Sequence, residues 1–198
     1  PKDEFNDWYD TEHVPDREKV PGFLTLERWV SADNPDVVLA IYDLQSIEVL
    51  QSEPYLKIGY LNPSPWTRRL MPMTKRVLRF VGEQIAPGNV IAPRNAGGLL
   101  FMGFNLEPGA EDDYAHWMDE EHLPNLSRVP GVLSARRFIA TEGTHKYVAV
   151  YHLTHPEVCG SPEWLSARET PWTNRIRPRT RDRLRIACRR YDRARDRS

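Results

Sequence analysis

The sequence predicts an α+β fold that consists of two copies of one small β-α-β-β-α-β unit, joined head to tail. Two observations predict it: a long internal repeat, and the order of apolar and helical segments within each copy. Residues 8–30 align with residues 117–139 without a gap, and ten of these 23 positions are identical. The same offset carries residues 38–44 onto residues 147–153. A match of this length indicates an internal duplication.

The second copy shows the complete order of elements. Its first strand is predicted from an apolar run at residues 99–104, and a helix follows from about residue 111 to residue 128. Two strands are expected near 132–140 and 146–153. A second helical region begins at Ser161, Pro162 and Glu163, which have the pattern of an N-cap followed by proline at the first helical position. The last strand is predicted near 183–190.

The first copy has the same order but lacks its opening strand, which by the repeat would precede Pro1. Because that strand is central in such a sheet, its loss would leave backbone groups unpaired. We therefore expect at least ~10 further residues upstream, the length of one strand and its turn. The proline- and glycine-rich stretch 82–98 predicts the linker, which gives repeats at 1–92 and 93–198. Two four-stranded sheets of this kind would cover each other and close a barrel-like core within one chain.

Composition narrows the class of protein. The 198 residues are 40% hydrophobic and 28% charged, with a net charge of −1, which argues against a nucleic-acid partner. No run is long and apolar enough to span a membrane, so no membrane partner is expected. The two cysteines, Cys159 and Cys188, have no metal-binding or redox spacing, and this predicts a reduced, cytoplasmic protein. The six histidines also lack metal-ligand spacing, so neither a metal nor a cofactor is predicted.

Both copies contain the pattern W-x-x-x-E-H-x-P, then V-P-G, a strand with arginine, and P-W-T-x-R. This combination resembles the dimeric α/β-barrel superfamily of ferredoxin-like units, and within it the EthD-like group, here as a tandem-repeat pseudo-dimer. The superfamily includes cofactor-free monooxygenases of polycyclic aromatics, haem-degrading enzymes and isomerases. The resemblance implies ligands between the sheet and the helices. It places four residues near such clefts: Glu12, His13, Glu121 and His122.

The glutamates lie on aromatic helix stripes. Phe5, Trp8, Tyr9 and Glu12 share one face at the i, i+3, i+4, i+7 spacing, and the second copy repeats the stripe up to Glu121. A carboxylate on such a face must find a donor or hold a proton, because burying it unpaired is costly. The donors available at matching positions are Arg28 and Arg137, or Arg69 and Arg175, and backbone N–H groups are the alternative. Two interpretations stay open, a structural tether and a pocket acid or base.

His13 and His122 are the stronger catalytic candidates, because a neutral imidazole suits proton transfer near pH 7. The alternative is a capping or helix-packing role. Tyr42 and Tyr151 recur in the middle of a strand, two residues after a small alanine. They would form either the floor of a ligand cavity or ordinary core packing.

The P-W-T-x-R motif is the remaining candidate for ligand binding. Trp66 and Trp172 could wall a pocket, and Arg69 and Arg175 could bind a carboxylate or an enolate-like anion through the guanidinium group. The alternative is a turn that fastens the two repeats together.

Three functional hypotheses follow. The first is a metal-free enzyme acting on a small aromatic or polyketide-like molecule, of the cofactor-free monooxygenase, dehydratase or isomerase type. The second is a non-catalytic accessory protein that binds a small-molecule ligand, and the third is a haem-binding protein. A further homodimer of the tandem chain stays open. If only one cleft works, the repeat positions that differ should explain it: Tyr9 and Met118, Asp43 and His152, Asp7 and His116.

Overall fold

The computed structural model describes residues 2–59 and 61–196. The seven strands are β1 (Phe23–Ser31), β2 (Val38–Leu44), β3 (Val81–Ala86), β4 (Gly98–Leu106), β5 (Val132–Glu142), β6 (Tyr147–Leu153) and β7 (Thr180–Arg190). Two long helices are each built from three segments: α1 comprises Lys2–Trp8, Tyr9–His13 and Val14–Glu18, and α4 comprises Glu111–Trp117, Met118–His122 and Leu123–Ser127. The short helices are α2 (Glu53–Ile58), α3 (Pro65–Leu70), α5 (Pro162–Arg168), α6 (Pro171–Ile176) and α7 (Arg193–Asp196).

All seven strands belong to one curled antiparallel sheet in the order β2-β1-β7-β4-β6-β5-β3. The strands and helices between residues 98 and 190 follow the β-α-β-β-α-β order that the sequence predicts. The strand expected before Pro1 lies outside the described residues. The sheet thus brings strands from both ends of the sequence side by side, which places first-repeat and second-repeat side chains in contact.

The predicted linker is wrong at its beginning, because residues 81–86 form strand β3 against β5. Glycine and proline content suggested a loop from residue 82. Gly82 has a different reason to be glycine: a Cβ atom there would lie 2.5 Å from the backbone oxygen of Ile139. Close approach to the neighbouring strand explains it.

A π-helical turn interrupts both long helices at the same place in the repeat. In α1 the N–H of Val14 donates to the oxygen of Tyr9, and in α4 the N–H of Leu123 donates to the oxygen of Met118. Pro15 and Pro124 follow at once. Proline has no N–H, and its ring would collide with the carbonyl four residues earlier, so the wider turn accommodates it.

Apolar residues cover both faces of the sheet. On the central strand β4, Leu100 and Phe104 pack under the helices of the second repeat, whereas Leu99 and Phe101 pack on the opposite face. The opposite face also receives Trp29 from β1, and it forms the core that both repeats share. In the described part of the chain, no helix has the length and apolar character needed to cross a membrane.

Candidate functional site

A cavity of about 2020 Å³ lies between helix α1, strand β2 and the segment that runs from α3 into β3. This is larger than the ~300–1,000 Å³ of an ordinary small-molecule site, so one ligand would occupy only part of it. Six aromatic side chains line the part of the cavity that we call the aromatic pocket: Trp8, Tyr9, His13, Phe23, Tyr42 and Tyr55. The rings form two groups. Trp8, Tyr9 and His13 contact one another, and the Phe23 centroid lies 5.8 Å from that of Tyr42 and 6.0 Å from that of Tyr55.

His13 is the titratable group of this pocket. Its ring lies 4.3 Å from that of Trp8 and 4.5 Å from that of Tyr9. Burial, and then the positive charges of Arg17 and Arg28, lowers the pKa of His13 from 6.5 to about 2. The imidazole is therefore neutral at physiological pH. The π turn ends at this residue and brings its ring back toward Trp8.

Tyr42 adds a phenol to the pocket wall. Burial, and then the neighbouring Tyr9, raises the pKa of Tyr42 well above 10. Its hydroxyl oxygen is buried without a hydrogen bond of good geometry among the described residues. A protonated phenol in this position can donate to an oxygen atom of a ligand.

Glu12 is not free in the pocket, because three side chains donate to its Oε1 atom. The Trp8 indole nitrogen lies 3.0 Å away and the Thr67 hydroxyl 3.1 Å away, and Ser64 donates the third hydrogen bond. The sequence predicted an arginine or backbone N–H groups as the donors, whereas the donors are an indole and two hydroxyl groups. Glu12 instead ties α1 to the N-terminus of α3.

The second repeat contains a related clamp. Glu121 accepts a hydrogen bond from Thr170, and the Trp117 indole donates to Thr173 at 3.2 Å. Thr170 also caps α6, as Ser64 caps α3. Both glutamates therefore hold a long helix against a short one, whatever else they do.

The region around His122 is filled by the core of the second repeat. The His122 ring lies 4.1 Å from that of Trp117, and burial, followed by Arg177 and Arg168, lowers the pKa of His122 to about 3. Tyr114 packs against Phe104 and Tyr147 at centroid distances of 5.4 and 5.0 Å.

Tyr151, the repeat counterpart of Tyr42, packs edge-on against Trp164 at 5.2 Å. It belongs to the same core as Tyr114 and Trp117. The sequence left open whether one cleft works or both; these positions face an open cavity in the first repeat and packed rings in the second.

The arginines proposed as ligand groups have protein partners or are remote. Arg28 binds Asp10 and Asn6, both at 2.6 Å, and stacks 3.7 Å from the ring of Tyr191. Arg137 binds Asp119 at 3.2 Å. Arg69 is exposed on α3 and does not line the cavity.

The P-W-T-x-R motif of the second repeat is a surface contact. Arg175 and Trp172 both donate to Asp113, at 2.9 Å each, and these hydrogen bonds lower the pKa of Asp113 to about 2. In the first repeat Trp66 is half-buried on α3 and does not line the cavity.

Sequence reasoning missed several lining residues, above all Phe23, Tyr55 and Arg17. Residues 71–80 line the cavity without forming a helix or strand over most of their length, so no periodicity marks them. Asp43 and Tyr9, which differ between the repeats, do line it. Among the described residues, no three His, Cys, Asp or Glu side chains converge as a metal site would require.

The fold has solved counterparts, although no family model and no curated protein sequence matches the chain. An anthrone oxidase-like protein superposes with a TM-score of 0.63 and 14% identity, over 97% of this chain and 86% of the other. A Lactobacillus acidophilus protein with a provisional monooxygenase name gives a TM-score of 0.62 and 8% identity, over 96% and 88%.

A Fusobacterium nucleatum protein with the same provisional name gives a TM-score of 0.57 and 6% identity, over 96% of this chain and 84% of the other. The chain therefore shares the α+β fold of these solved proteins. At these identities the likeness concerns the fold.

Proposed function

We propose that the chain binds a small aromatic molecule in the aromatic pocket and that His13 exchanges a proton with it. The observation that carries the proposal is the neutral imidazole of His13, held between two aromatic rings on the wall of an open cavity. A planar ligand can stack on these rings, and each such pair contributes about 0.5–1.5 kcal/mol beyond the area that it buries.

The proton would move from an acidic C–H or O–H group of the ligand to the imidazole. The resulting anion would lie near the guanidinium of Arg17 and could accept a hydrogen bond from Tyr42. An anion beside the imidazolium raises the pKa of His13, so the ligand itself supplies the driving force that the free site lacks.

For a methylene group that is acidified by conjugation with a carbonyl through aromatic rings, dioxygen completes the reaction. Two C–H bonds break and one C=O bond forms, with one oxygen atom kept in the product and the other released as water. The conversion of anthrone to anthraquinone has this stoichiometry. Because one structural counterpart is named anthrone oxidase-like, anthrone is the first probe.

A second candidate is ligand binding without turnover. The pKa of about 2 makes His13 a weak base in the free protein. Glu12 is engaged by three donors and offers no ready second base. In that case the protein would bind its ligand in the cavity and carry it without changing it chemically.

We also propose that the two repeats form the halves of an intramolecular pair, as in an EthD-like pseudo-dimer. Strand register supports it. Trp29 on β1 pairs with Arg190 on β7, and Phe138 on β5 pairs with Gln84 on β3. Phe138 is the repeat counterpart of Trp29, and the offset after the three-residue deletion relates Arg190 to Gln84. Each repeat would thus lend its last strand to the other.

The test is anthrone binding together with oxygen uptake, on the wild type and on His13→Ala and His122→Ala. The two histidines are matched, because both have depressed pKa values and contact a tryptophan, but only His13 lines the cavity. We expect binding and uptake that His13→Ala abolishes and His122→Ala preserves. Binding without uptake would favour the carrier function. Equal effects of the two substitutions would contradict both.

A further inference from the structure

One buried ion pair and one buried glutamate–histidine contact join strands of different repeats at equivalent positions. The repeat offset, 117 − 8 = 109, relates Glu27 to Arg136 and Asp43 to His152. In the structure, Glu27 Oε2 lies 2.7 Å from His152 Nε2, and Asp43 Oδ1 lies 2.8 Å from Arg136 Nη1. Each pair therefore joins a β1-type position of one repeat to a β2-type position of the other.

The charges are not distributed evenly between the repeats. The first repeat supplies both acids, Glu27 and Asp43, and the second supplies both basic side chains, His152 and Arg136. If two copies of the first repeat paired in the same way, Glu27 would face Asp43 twice. If two copies of the second repeat paired, Arg136 would face His152 twice, and neither would have a carboxylate opposite it. Two carboxylates placed together in an interface repel each other, and a guanidinium without a carboxylate loses its counter-charge.

All four groups are withdrawn from water, so this difference is not screened. The side chains of His152 and Arg136 are 0% and 1% exposed, and those of Glu27 and Asp43 are 5% and 10% exposed. At such positions the repulsion between two carboxylates would be far stronger than on a surface.

Neighbouring donors hold the two acids in place. Glu27 accepts a second hydrogen bond from Arg190 at 2.9 Å. Asp43 accepts from the Thr25 hydroxyl at 2.9 Å and from the backbone N–H of Ala92 at 2.6 Å. Asp43 is therefore held by groups of its own repeat, whereas Glu27 receives a further basic group, Arg190, from the second repeat.

The basic side is less well satisfied. Arg136 Nε and Nη2 and His152 Nδ1 are buried without a hydrogen-bond partner among the described residues. Gln84, the counterpart of Arg190, also has an unpartnered buried oxygen. Buried pairs with orphaned atoms contribute little net stability compared with apolar side chains. Their distribution needs another reason, and specificity of pairing is the one that the geometry offers.

We propose that the inner faces of the two repeats recognise each other by complementary buried acidic and basic groups, so that the acidic face accepts a basic face and not a second acidic face. The inference rests on the two-repeat arrangement proposed above and is independent of any ligand. The acidic face of the first repeat thus pairs with a basic face like that of the second repeat, and not with a second acidic face.

The test exchanges charges in the full chain without changing its composition. In the half exchange, Glu27→Arg with Arg136→Glu, the new positive charge faces His152 and the new negative charge faces Asp43. The full exchange adds Asp43→His and His152→Asp, together with Arg190→Gln and Gln84→Arg at the neighbouring counterpart positions, so that each repeat carries the other's charged residues. In urea titrations at pH 7 we expect the half exchange to raise the unfolding equilibrium constant about 100-fold or more. The full exchange should lower the unfolding equilibrium constant again, by a factor of about ten or more relative to the half exchange.

A milder set keeps the result decisive if the exchanged chains fold poorly. Arg136→Glu should unfold more readily than Arg136→Gln, and adding Asp43→Asn should rescue only Arg136→Glu. Two results together would overturn the proposal. In the first, the full exchange is no more stable than the half exchange, or neither chain folds. In the second, Asp43→Asn fails to rescue Arg136→Glu. Because every readout is folding without ligand, a failure here leaves the proposed binding function untouched, and the reverse also holds.

Discussion

Two histidines at equivalent repeat positions have different surroundings in this fold. His13 and His122 both follow a π turn and contact a tryptophan ring, at 4.3 and 4.1 Å. Burial makes both imidazoles neutral at physiological pH. What separates them is access: the ring of His13 lines an open cavity, whereas that of His122 lies beside the packed rings of the second core. Neighbouring residues from distant segments, not the motif, decide which histidine can meet a ligand.

The low pKa of His13 has a consequence for stability. In the unfolded chain this histidine gains a proton as the pH falls below about 6.5, whereas in the folded chain it stays neutral down to about 2. The folded state therefore loses stability as the pH falls from about 6.5 toward about 2, and above about 6.5 His13 adds no pH dependence. We expect His13→Gln to reduce the slope of unfolding free energy against pH between 5 and 6 by at most about 1.4 kcal/mol per unit.

Urea titrations at pH 5, 5.5 and 6 measure this slope. The exposed His116 provides the control, because His116→Gln should change the slope of unfolding free energy against pH much less than His13→Gln does. Equal slopes for the wild type and His13→Gln would show that the His13 imidazole is not withdrawn from protons in the folded state.

Glu12 is expected to act first on stability. Glu12→Ala leaves the donors of Trp8, Ser64 and Thr67 without their acceptor, and we expect a loss of about 2–4 kcal/mol. Glu12→Gln keeps a carbonyl acceptor and should lose less. Chemical denaturation measures both, with Glu18→Ala on the exposed part of α1 as the control. A stable Glu12→Ala variant that fails to bind ligand would instead indicate a role within the pocket.

At the scale of elements, the N-cap residue of α3 also binds α1, the helix that lines the cavity. Ser64 accepts from the N–H of Thr67 as the N-cap of α3 and also donates to Glu12. Ser52 caps α2 by accepting from the N–H of Tyr55 and has no contact with the clamp. The two serines therefore separate ordinary capping from capping that also holds α1.

We expect Ser52→Ala to cost about 1 kcal/mol, the usual contribution of an N-cap. Ser64→Ala should cost about 1–2 kcal/mol more, because it also removes a hydrogen bond to a carboxylate. Unfolding midpoints of the two variants check the difference. If the two substitutions cost the same, the Glu12 clamp contributes nothing measurable.

The elements could largely be predicted, because local signals define them. Apolar runs marked β4 and β6, and Ser161 marked the beginning of α5. The beginning of β3 could not be predicted, since Gly82 resembles a loop residue until its strand neighbour is known. The donors of Glu12 were also missed, because Ser64 and Thr67 lie more than fifty positions away in the sequence. The cavity follows from the packing of such distant segments.

At the scale of the whole molecule, the sheet joins strands from both repeats around one shared core. Trp29 from the first repeat and Val148 from the second pack together in it, beside the buried pair of Glu27 and His152. Solved proteins with under 15% identity share this architecture. In this chain an open cavity lies beside His13 and Tyr42, packed rings lie beside His122 and Tyr151, and Glu27 and Asp43 face His152 and Arg136.

The central claim is that a ligand enters the first-repeat cavity and meets His13. The most direct measurement is NMR of the full chain with ¹⁵N-labelled histidine rings, titrated with anthrone. The account predicts that the ring resonances of His13 shift with saturation while those of His122 stay unchanged, and that His13→Ala removes the shifting signals. Saturable binding that moves the His122 ring, or that leaves His13 unchanged, would contradict it.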